Sequence, residues 1–333
     1  MNQEKVESKI VEILEKGKRF LLLTHKDPDG DAIGSTLALA WTLGETGREC
    51  IMVSEEPTAV PYDALPGAHK IMAIGADYGD QVAERGFEAV LVLDCADEKR
   101  LGRFAETFSH IRPWINIDHH ETNTFFGDIN LVRPDASSTA ELIFNVIKRG
   151  GFPLTREVAE NIFAAIQADT GSFRYENTTS TAFRIAAEMV ERGVDPWQVN
   201  LKVMDVYDIP RLRLLSKALD TIELHLNGRL AMMTLPASVF QEVGAEREDS
   251  ERFVDYARFI RGVEVAAFVR EMDSGGYKFS LRSNNCVNVA DLARRFGGGG
   301  HARAAGFEWQ GQLEKLKKDF IKEVARVLNG KGC

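Results

Sequence analysis

Apolar residues recur along the first half of the chain in short continuous runs bounded by polar segments. Residues 19–24 (RFLLLT), 50–54 (CIMVS), 87–93 (FEAVLVL) and 113–117 (PWINI) are runs of this kind. Between them lie stretches with helical spacing, among them an amphipathic opening segment (MNQEKVESKIVEILEKG) and a small-residue helix over 32–44. Strands that are apolar on both faces and alternate with helices predict a parallel sheet covered on both sides. Helices predicted at 138–149, 156–167 and 182–192 close this domain.

Gly193-Val194-Asp195-Pro196 interrupts the pattern. Two helical stretches then reach residue 221 without the Gly/Ser enrichment of a flexible linker. Beyond them the spacing becomes that of hairpins. Residues 222–226 and 230–235 flank Asn227-Gly228, a turn-forming pair, and 263–271 and 277–282 flank a second turn at 273–276. Helices at 289–296 and 313–328 complete a smaller α/β domain. The expected architecture is a doubly wound parallel α/β domain over 1–195, a helical connector over 196–221 and a smaller α/β domain over 222–333. A length of 333 residues suits two hydrophobic cores better than one.

Composition adds few constraints, but useful ones. With 44% apolar and 27% charged residues the chain is ordinary for a soluble globular protein. No run approaches the roughly 20 apolar residues needed to cross a bilayer, and the opening segment lacks the apolar core of an export signal. A cytoplasmic protein without membrane partners is therefore expected. A formal charge of −9 counts against a binder of long duplex, which needs a basic face, and favours a small anionic substrate. Cys50, Cys95, Cys286 and Cys333 lie far apart with no Cys-x-x-Cys pair, and read as reduced, mostly buried thiols.

The chemistry gathers where the predicted strands end. The first strand runs into His25-Lys26-Asp27-Pro28-Asp29-Gly30-Asp31, the third into Asp94, and the fourth into Asp118-His119-His120. Asp169 falls at the end of an apolar helix. Each segment has an ordinary reading by itself: Asp-Pro-Asp-Gly-Asp suits a turn entering a helix cap, and a lone Asp commonly caps a helix. Their coincidence at the carboxyl rim of one parallel sheet, where ligands of such folds bind, is harder to explain that way. His25, Asp29, Asp31, Asp94, His119 and Asp169 supply four carboxylates and two imidazoles without sulfur. That donor set suits Mn²⁺, with Mg²⁺ or Co²⁺ as substitutes. Six side chains exceed what one ion needs, so two ions about 3.5–4 Å apart sharing a carboxylate are expected.

His-x-x-x-Asp-x-Asp, a strand-end Asp, Asp-His-His and Asp169-Thr170-Gly171 together resemble the four motifs of the DHH phosphoesterase superfamily. Gly297-Gly298-Gly299-Gly300-His301, followed by Ala304-Ala305-Gly306, resembles the signature of the DHH-associated C-terminal domain. The resemblance covers nearly the whole chain, and its length and domain pair are most similar to the NrnA-type branch. It implies that His25 and Asp29 hold one ion, that Asp31, His119 and Asp169 hold the other, and that Asp94 bridges them. It further implies that His120 faces the substrate phosphate and that Asp118 orients a histidine. The implied activity is in-line attack of a metal-bridging hydroxide on very short single-stranded RNA or DNA, or on 3′-phosphoadenosine 5′-phosphate. A cyclic-dinucleotide or linear dinucleotide phosphodiesterase would use the same ligands. A catalytically silent nucleotide-binding regulator would be expected to have lost one, and none is missing.

Arg282, Gly298, Gly299, Gly300 and His301 are the residues by which the second domain would grip a substrate phosphate: glycines expose N–H groups and Arg and His add charge. A glycine run read alone is a hinge, and the phosphate reading comes mainly from the resemblance. Ser138 with Glu141 reads as a capping box. Phe125, Phe126, Phe173 and Tyr175 read as core or rim aromatics rather than base-stacking platforms. The resemblance alone allows for a homodimer.

Overall fold

The computed structural model describes residues 3–58, 60–74, 82, 85–204, 207–273, 275–300 and 302–330. The chain forms two compact units, Met1–Val206 and Tyr207–Cys333.

In the first unit, α1 (Gln3–Lys16) precedes β1 (Arg19–Leu23), α2 (Gly30–Gly44), β2 (Glu49–Ser54), β3 (Met72–Ala73) and β4 (Ala89–Leu93). A short helix α3 (Phe104–Thr107), then β5 (Trp114–Asp118), β6 (Ile129–Val132), α4 (Thr139–Arg149), α5 (Arg156–Asp169), α6 (Ser180–Glu191) and α7 (Pro196–Val203) follow. The six strands pair in the order β3-β2-β1-β4-β5-β6, every pairing parallel. Side chains alternate between two cores, as the pleat requires. Leu22, Leu91 and Ile115 join one apolar cluster with α1, α2, α4 and α5. Leu21, Leu23, Val90, Val92 and Trp114 join a second with Phe104 and Phe108. Burial on both faces explains why these strands read as unbroken apolar runs.

The strand order positions the site. From β1 the chain winds outward through β2 and β3, then returns to place β4 on the other side of β1. The β1/β4 gap is therefore the topological switch point, where connections leave in opposite directions and a crevice opens beyond the strand ends. β3 and β6 were not anticipated: one has two residues, and the other, INLV, carries asparagine in a run too short to show a period.

The second unit contains α8 (Ile209–Leu219), β7 (Glu223–His225), β8 (Leu230–Leu235), α9 (Ala237–Val243), α10 (Phe253–Arg258), β9 (Val265–Glu271), β10 (Tyr277–Ser283), α11 (Val289–Arg295), β11 (Gly299–Gly300), β12 (Ala304–Trp309) and α12 (Leu313–Gly330). Its sheet runs β11-β12-β10-β9-β8-β7, antiparallel except at β8/β9. The two helices of the expected connector pack into different cores. Val199 and Val203 of α7 are buried with the first unit, Leu214 and Ala218 of α8 with the second. At the β7–β8 turn, Leu226, Asn227 and Gly228 all adopt left-handed backbone, so the tight turn starts one residue before Asn227-Gly228.

In the glycine run Gly299 pairs with Gly306 and Gly300 with Ala305 in an edge ladder. One expectation is corrected. Cys50 and Cys95 are free thiols, but Cys286 is disulfide-bonded. Sequence spacing carries no signal for a bridge between residues that only the fold brings together. No helix among the described residues is long and apolar enough to cross a membrane.

Candidate metal centre

Four segments deliver the acidic and histidine side chains to the switch point, and local structure fixes each. Asp29 caps α2, its carboxylate accepting from Asp31 N at 3.0 Å and Ala32 N at 3.2 Å. Asp31, in the first turn of α2, is buried against the start of α4. Its oxygens accept from Thr139 N (2.6 Å), Ala140 N (3.0 Å) and Ser35 Oγ (3.0 Å). First-turn N–H groups without intrahelical partners and the positive end of the helix dipole favour a carboxylate there. Asp94 follows β4 in left-handed backbone, with φ +56°. Aspartate tolerates that region better than most side chains, at a cost of roughly 1–2 kcal/mol. Thr139 Oγ1 donates to Asp94 at 2.9 Å, so one threonine braces both carboxylates.

Asp118 is the last residue of β5 and fully buried. His120 Nδ1 lies 2.6 Å from Asp118 Oδ1, and Asn123 Nδ2 donates to Asp118 Oδ2 at 2.6 Å. Asp169 ends α5, and Asn177 donates to its Oδ2 at 2.8 Å. His25 Nδ1 lies 2.7 Å from the Lys26 carbonyl. A ring proton donated there leaves Nε2 as the ligating nitrogen.

Three sets of donor atoms have mutual separations within 4.8 Å: His25, Asp29 and Asp94; Asp31, His119 and Asp169; and Asp94, His119 and His120. Asp94 belongs to two of them. His119 Nε2 stands 3.7 Å from Asp94 Oδ1, 3.7 Å from Asp169 Oδ2 and 3.8 Å from Asp31 Oδ2, and His25 Nε2 stands 3.7 Å from Asp94 Oδ2. These spacings are too long for hydrogen bonds. They match the roughly 3–4.4 Å that separates ligands each about 2.0–2.2 Å from a shared ion. All six metal-ligand candidates read from the sequence meet here, with Asp118 and His120 beside them.

The electrostatics fit a cation. Burial, then the charges of Asp94 and Asp169, push the Asp31 carboxyl well above the usual carboxylate range. Burial, then Asp29 and Asp94, do the same to Asp169. Burial opposes charge on Asp94 too, but the nearby imidazoles of His25, His120 and His119 hold its carboxyl well below that range. His120 is likewise opposed by burial, yet Asp118 and Asp94 raise it to about 9. Carboxylates this crowded cannot all ionise unaided; a divalent ion supplies the missing positive charge.

A stability prediction arises directly. A divalent ion that the centre binds, supplied at a hundred times its dissociation constant, should stabilise the first unit by about 2.7 kcal/mol. For a unit of this size that raises Tm by roughly 5–10 °C. Calorimetry in EDTA and in Mn²⁺ measures the shift, and coincident transitions would remove the cation from the centre.

Arg282 is on β10, its Nε 3.8 Å from Asp255 and its Nη1 donating to Leu281 O at 3.0 Å. Gly300 and Arg282 flank the start of β12, opposite Ala305 and Ala304 respectively. Gly298 is needed for packing: a Cβ there would stand 2.1 Å from Gly306 O. Its N–H closes the end of α11 onto Ala293 O at 2.9 Å. Gly299 is exposed with space around it, and His301 lies outside the described residues. The capping box is offset by one residue: Ser138 accepts from Glu141 N, while Glu141 accepts from the backbone and hydroxyl of Ser137. Thr139, Asn123 and Asn177 were missed, since nothing in a single Thr or Asn signals a carboxylate held through space.

The chain matches the N-terminal domain of the DHH family over residues 19–166 and the DHHA1 domain over residues 230–330. It is 36% identical to the bifunctional oligoribonuclease and PAP phosphatase NrnA of Thermus thermophilus, across 93% of this chain and 90% of that protein. The Bacillus subtilis protein of the same description is 26% identical, across 90% and 93%. Among solved structures, an exopolyphosphatase-related protein from Bacteroides fragilis superposes with a TM-score of 0.92 at 27% identity, covering 98% of each chain.

Proposed function

The chain belongs to the DHH phosphoesterase family, and we propose that it is a metal-dependent hydrolase of very short oligonucleotides that also removes the 3′-phosphate from 3′-phosphoadenosine 5′-phosphate. The observation that carries this reading is the two donor sets His25–Asp29–Asp94 and Asp31–His119–Asp169, with Asp94 Oδ1 3.7 Å from His119 of the second. Similarity to NrnA proteins over nine-tenths of the chain supports the substrate class.

In this reading His25 and Asp29 hold one ion, Asp31, His119 and Asp169 a second, and Asp94 both. Two Mn²⁺ suit that mixture of hard oxygen and imidazole donors. When bound, such ions supply Lewis acidity toward phosphoryl oxygens and make water acidic enough to serve as a nucleophile near neutral pH. The chain's own groups do the rest. Asp118, held by Asn123, fixes the ring of His120 through Nδ1. Fixed in this way, His120 is suited to present its other ring nitrogen to a substrate phosphoryl oxygen. Arg282, Gly298, Gly299, Gly300 and His301 are proposed to hold a further phosphate of the substrate, with Gly298 acting through the backbone shape it permits.

The test is hydrolysis, in Mn²⁺ and separately in Mg²⁺, of a 5′-phosphorylated RNA dinucleotide, a longer RNA, 3′-phosphoadenosine 5′-phosphate and a cyclic dinucleotide. Turnover is expected to be fastest for the linear dinucleotide or the bisphosphate, and faster in Mn²⁺. Preference for the cyclic substrate would move the protein to another activity of the family, and inactivity on all four would refute the proposal.

A further inference from the structure

The strand that leads to the histidine pair carries an asparagine where its pleat calls for an apolar side chain. Trp114 of β5 and Val92 of β4 belong to one apolar cluster on one face of the sheet. Asn116, two residues after Trp114, falls on that same face, pairs with Val92 across the β4/β5 ladder and is fully buried. Burying an amide there is costly unless its donors and acceptor are all met.

They are met, and in one direction only. Asn116 Nδ2 donates to Val92 O at 3.2 Å and to Cys95 O at 3.1 Å. Those carbonyls stand on either side of Asp94 in the chain, so the amide spans the left-handed bend that carries the shared carboxylate. A carbonyl cannot donate, so the amide cannot be flipped, and its Oδ1 is left as an acceptor. Asn123 Nδ2 donates to that oxygen at 2.8 Å and to Asp118 Oδ2 at 2.6 Å, with Cys95 O a more distant neighbour at 3.3 Å. Asn123 Oδ1 accepts from Phe125 N at 2.7 Å, which fixes the orientation of this second amide independently. The other oxygen of Asp118 meets His120 Nδ1 at 2.6 Å. Asn123 is 8% exposed and Asp118 fully buried, so water does not compete for these bonds.

We infer, on the reading of His120 as the group that meets a substrate phosphate, that Asn116 is a positioning residue for hydrolysis. Through Val92 and Cys95 it holds the bend at Asp94, and through Asn123 and Asp118 it fixes the ring of His120. Each link is an oriented amide or carboxylate, so the direction set at the two carbonyls carries through to the ring. An aliphatic side chain at position 116 would suit the doubly covered sheet and would break both connections at once.

The experiment compares the full-length wild type with Asn116→Leu and with Asn123→Ser. The second variant cuts the same relay in the loop and leaves the strand intact should the first not fold. In EDTA, NMR of the histidine rings, with His120 identified by its loss in His120→Gln, should show the His120 signals displaced in both variants. In Mn²⁺, kcat on the RNA dinucleotide should fall at least about tenfold in both, in line with the roughly 10–100-fold effect of removing a partner behind a functional side chain. KM should change by less than about twofold, since substrate contacts are untouched. An asparagine that served packing alone would lower Tm and leave kcat and the His120 signals of the folded protein as they were. Displaced signals together with lowered kcat support the inference. Unchanged His120 signals in either folded variant, or a kcat within about twofold of wild type, overturns it. An inactive wild type would refute the hydrolytic proposal, and the metal-free signals would then decide the role of Asn116 by themselves.

Discussion

Asp94→Asn is expected to lower kcat at least about a thousandfold while the protein stays folded. Asp94 is the one residue shared by the sets His25–Asp29–Asp94 and Asp94–His119–His120. It is buried, and its two oxygens face different partners, Oδ2 toward His25 and Oδ1 toward His119. Asparagine keeps the volume and still offers Oδ1 to Thr139, so the local brace survives. What it removes is one charged oxygen between two donor sets. Metal stabilisation of a phosphoryl transition state is worth several kcal/mol, and each 1.36 kcal/mol is a factor of ten in rate. The measurement is kcat on the RNA dinucleotide in saturating Mn²⁺, with Tm recorded alongside. A variant that retains a tenth of wild-type activity would show that Asp94 does not join the two sets.

Gly34→Val should produce the largest stability loss, about 3 kcal/mol or more, and carry activity down with it. Gly34 lies where α2 crosses α5 at close range. A Cβ there would stand 2.7 Å from Asn161 O and 2.8 Å from Ala165 Cβ, and the first of these is backbone that cannot rotate away. Overpacking a close-fitted core costs about 1–3 kcal/mol, and more where helices must separate. For the first unit this amounts to a fall in Tm of roughly 6–12 °C. Asp31 stands at the start of α2 and Asp169 at the end of α5. Forcing these helices apart also spreads the Asp31–His119–Asp169 set, so the Mn²⁺ concentration needed for half-maximal activity should rise. Gly44→Ala, at the far end of the same helix, is the control. Nothing lies within 4 Å of the place its methyl would take, and it should be neutral or mildly stabilising. Equal effects of the two substitutions would refute the packing account.

Much of the fold was readable because its physics is local. A strand buried on both faces must be apolar at consecutive positions, so β1, β2, β4 and β5 stand out as continuous runs. The metal-ligand candidates were readable for a related reason. Carboxylates and imidazoles at strand ends are costly to gather at one rim, and four such segments make a shared purpose more economical than four separate caps. Short elements were not readable. β3, β11 and α9 owe their form to neighbours rather than to any period of their own.

The sequence by itself determined the alternation of strands and helices, the chemical types of the donors and, by resemblance, the family. Only the tertiary structure decided that β4 returns beside β1, which brings Asp94 between the loop after β1 and the histidines after β5. It also decided that Thr139, 45 positions from Asp94 and 108 from Asp31, braces both carboxylates. The same holds for Glu264, whose buried carboxylate accepts from the N–H groups of Cys286 and Val287, 22 and 23 positions on. The physical reason is common to all three. Burial and backbone periodicity act between near neighbours and leave a mark in composition, whereas a hydrogen bond or charge balance between distant segments depends on one orientation in space and marks no position in the chain.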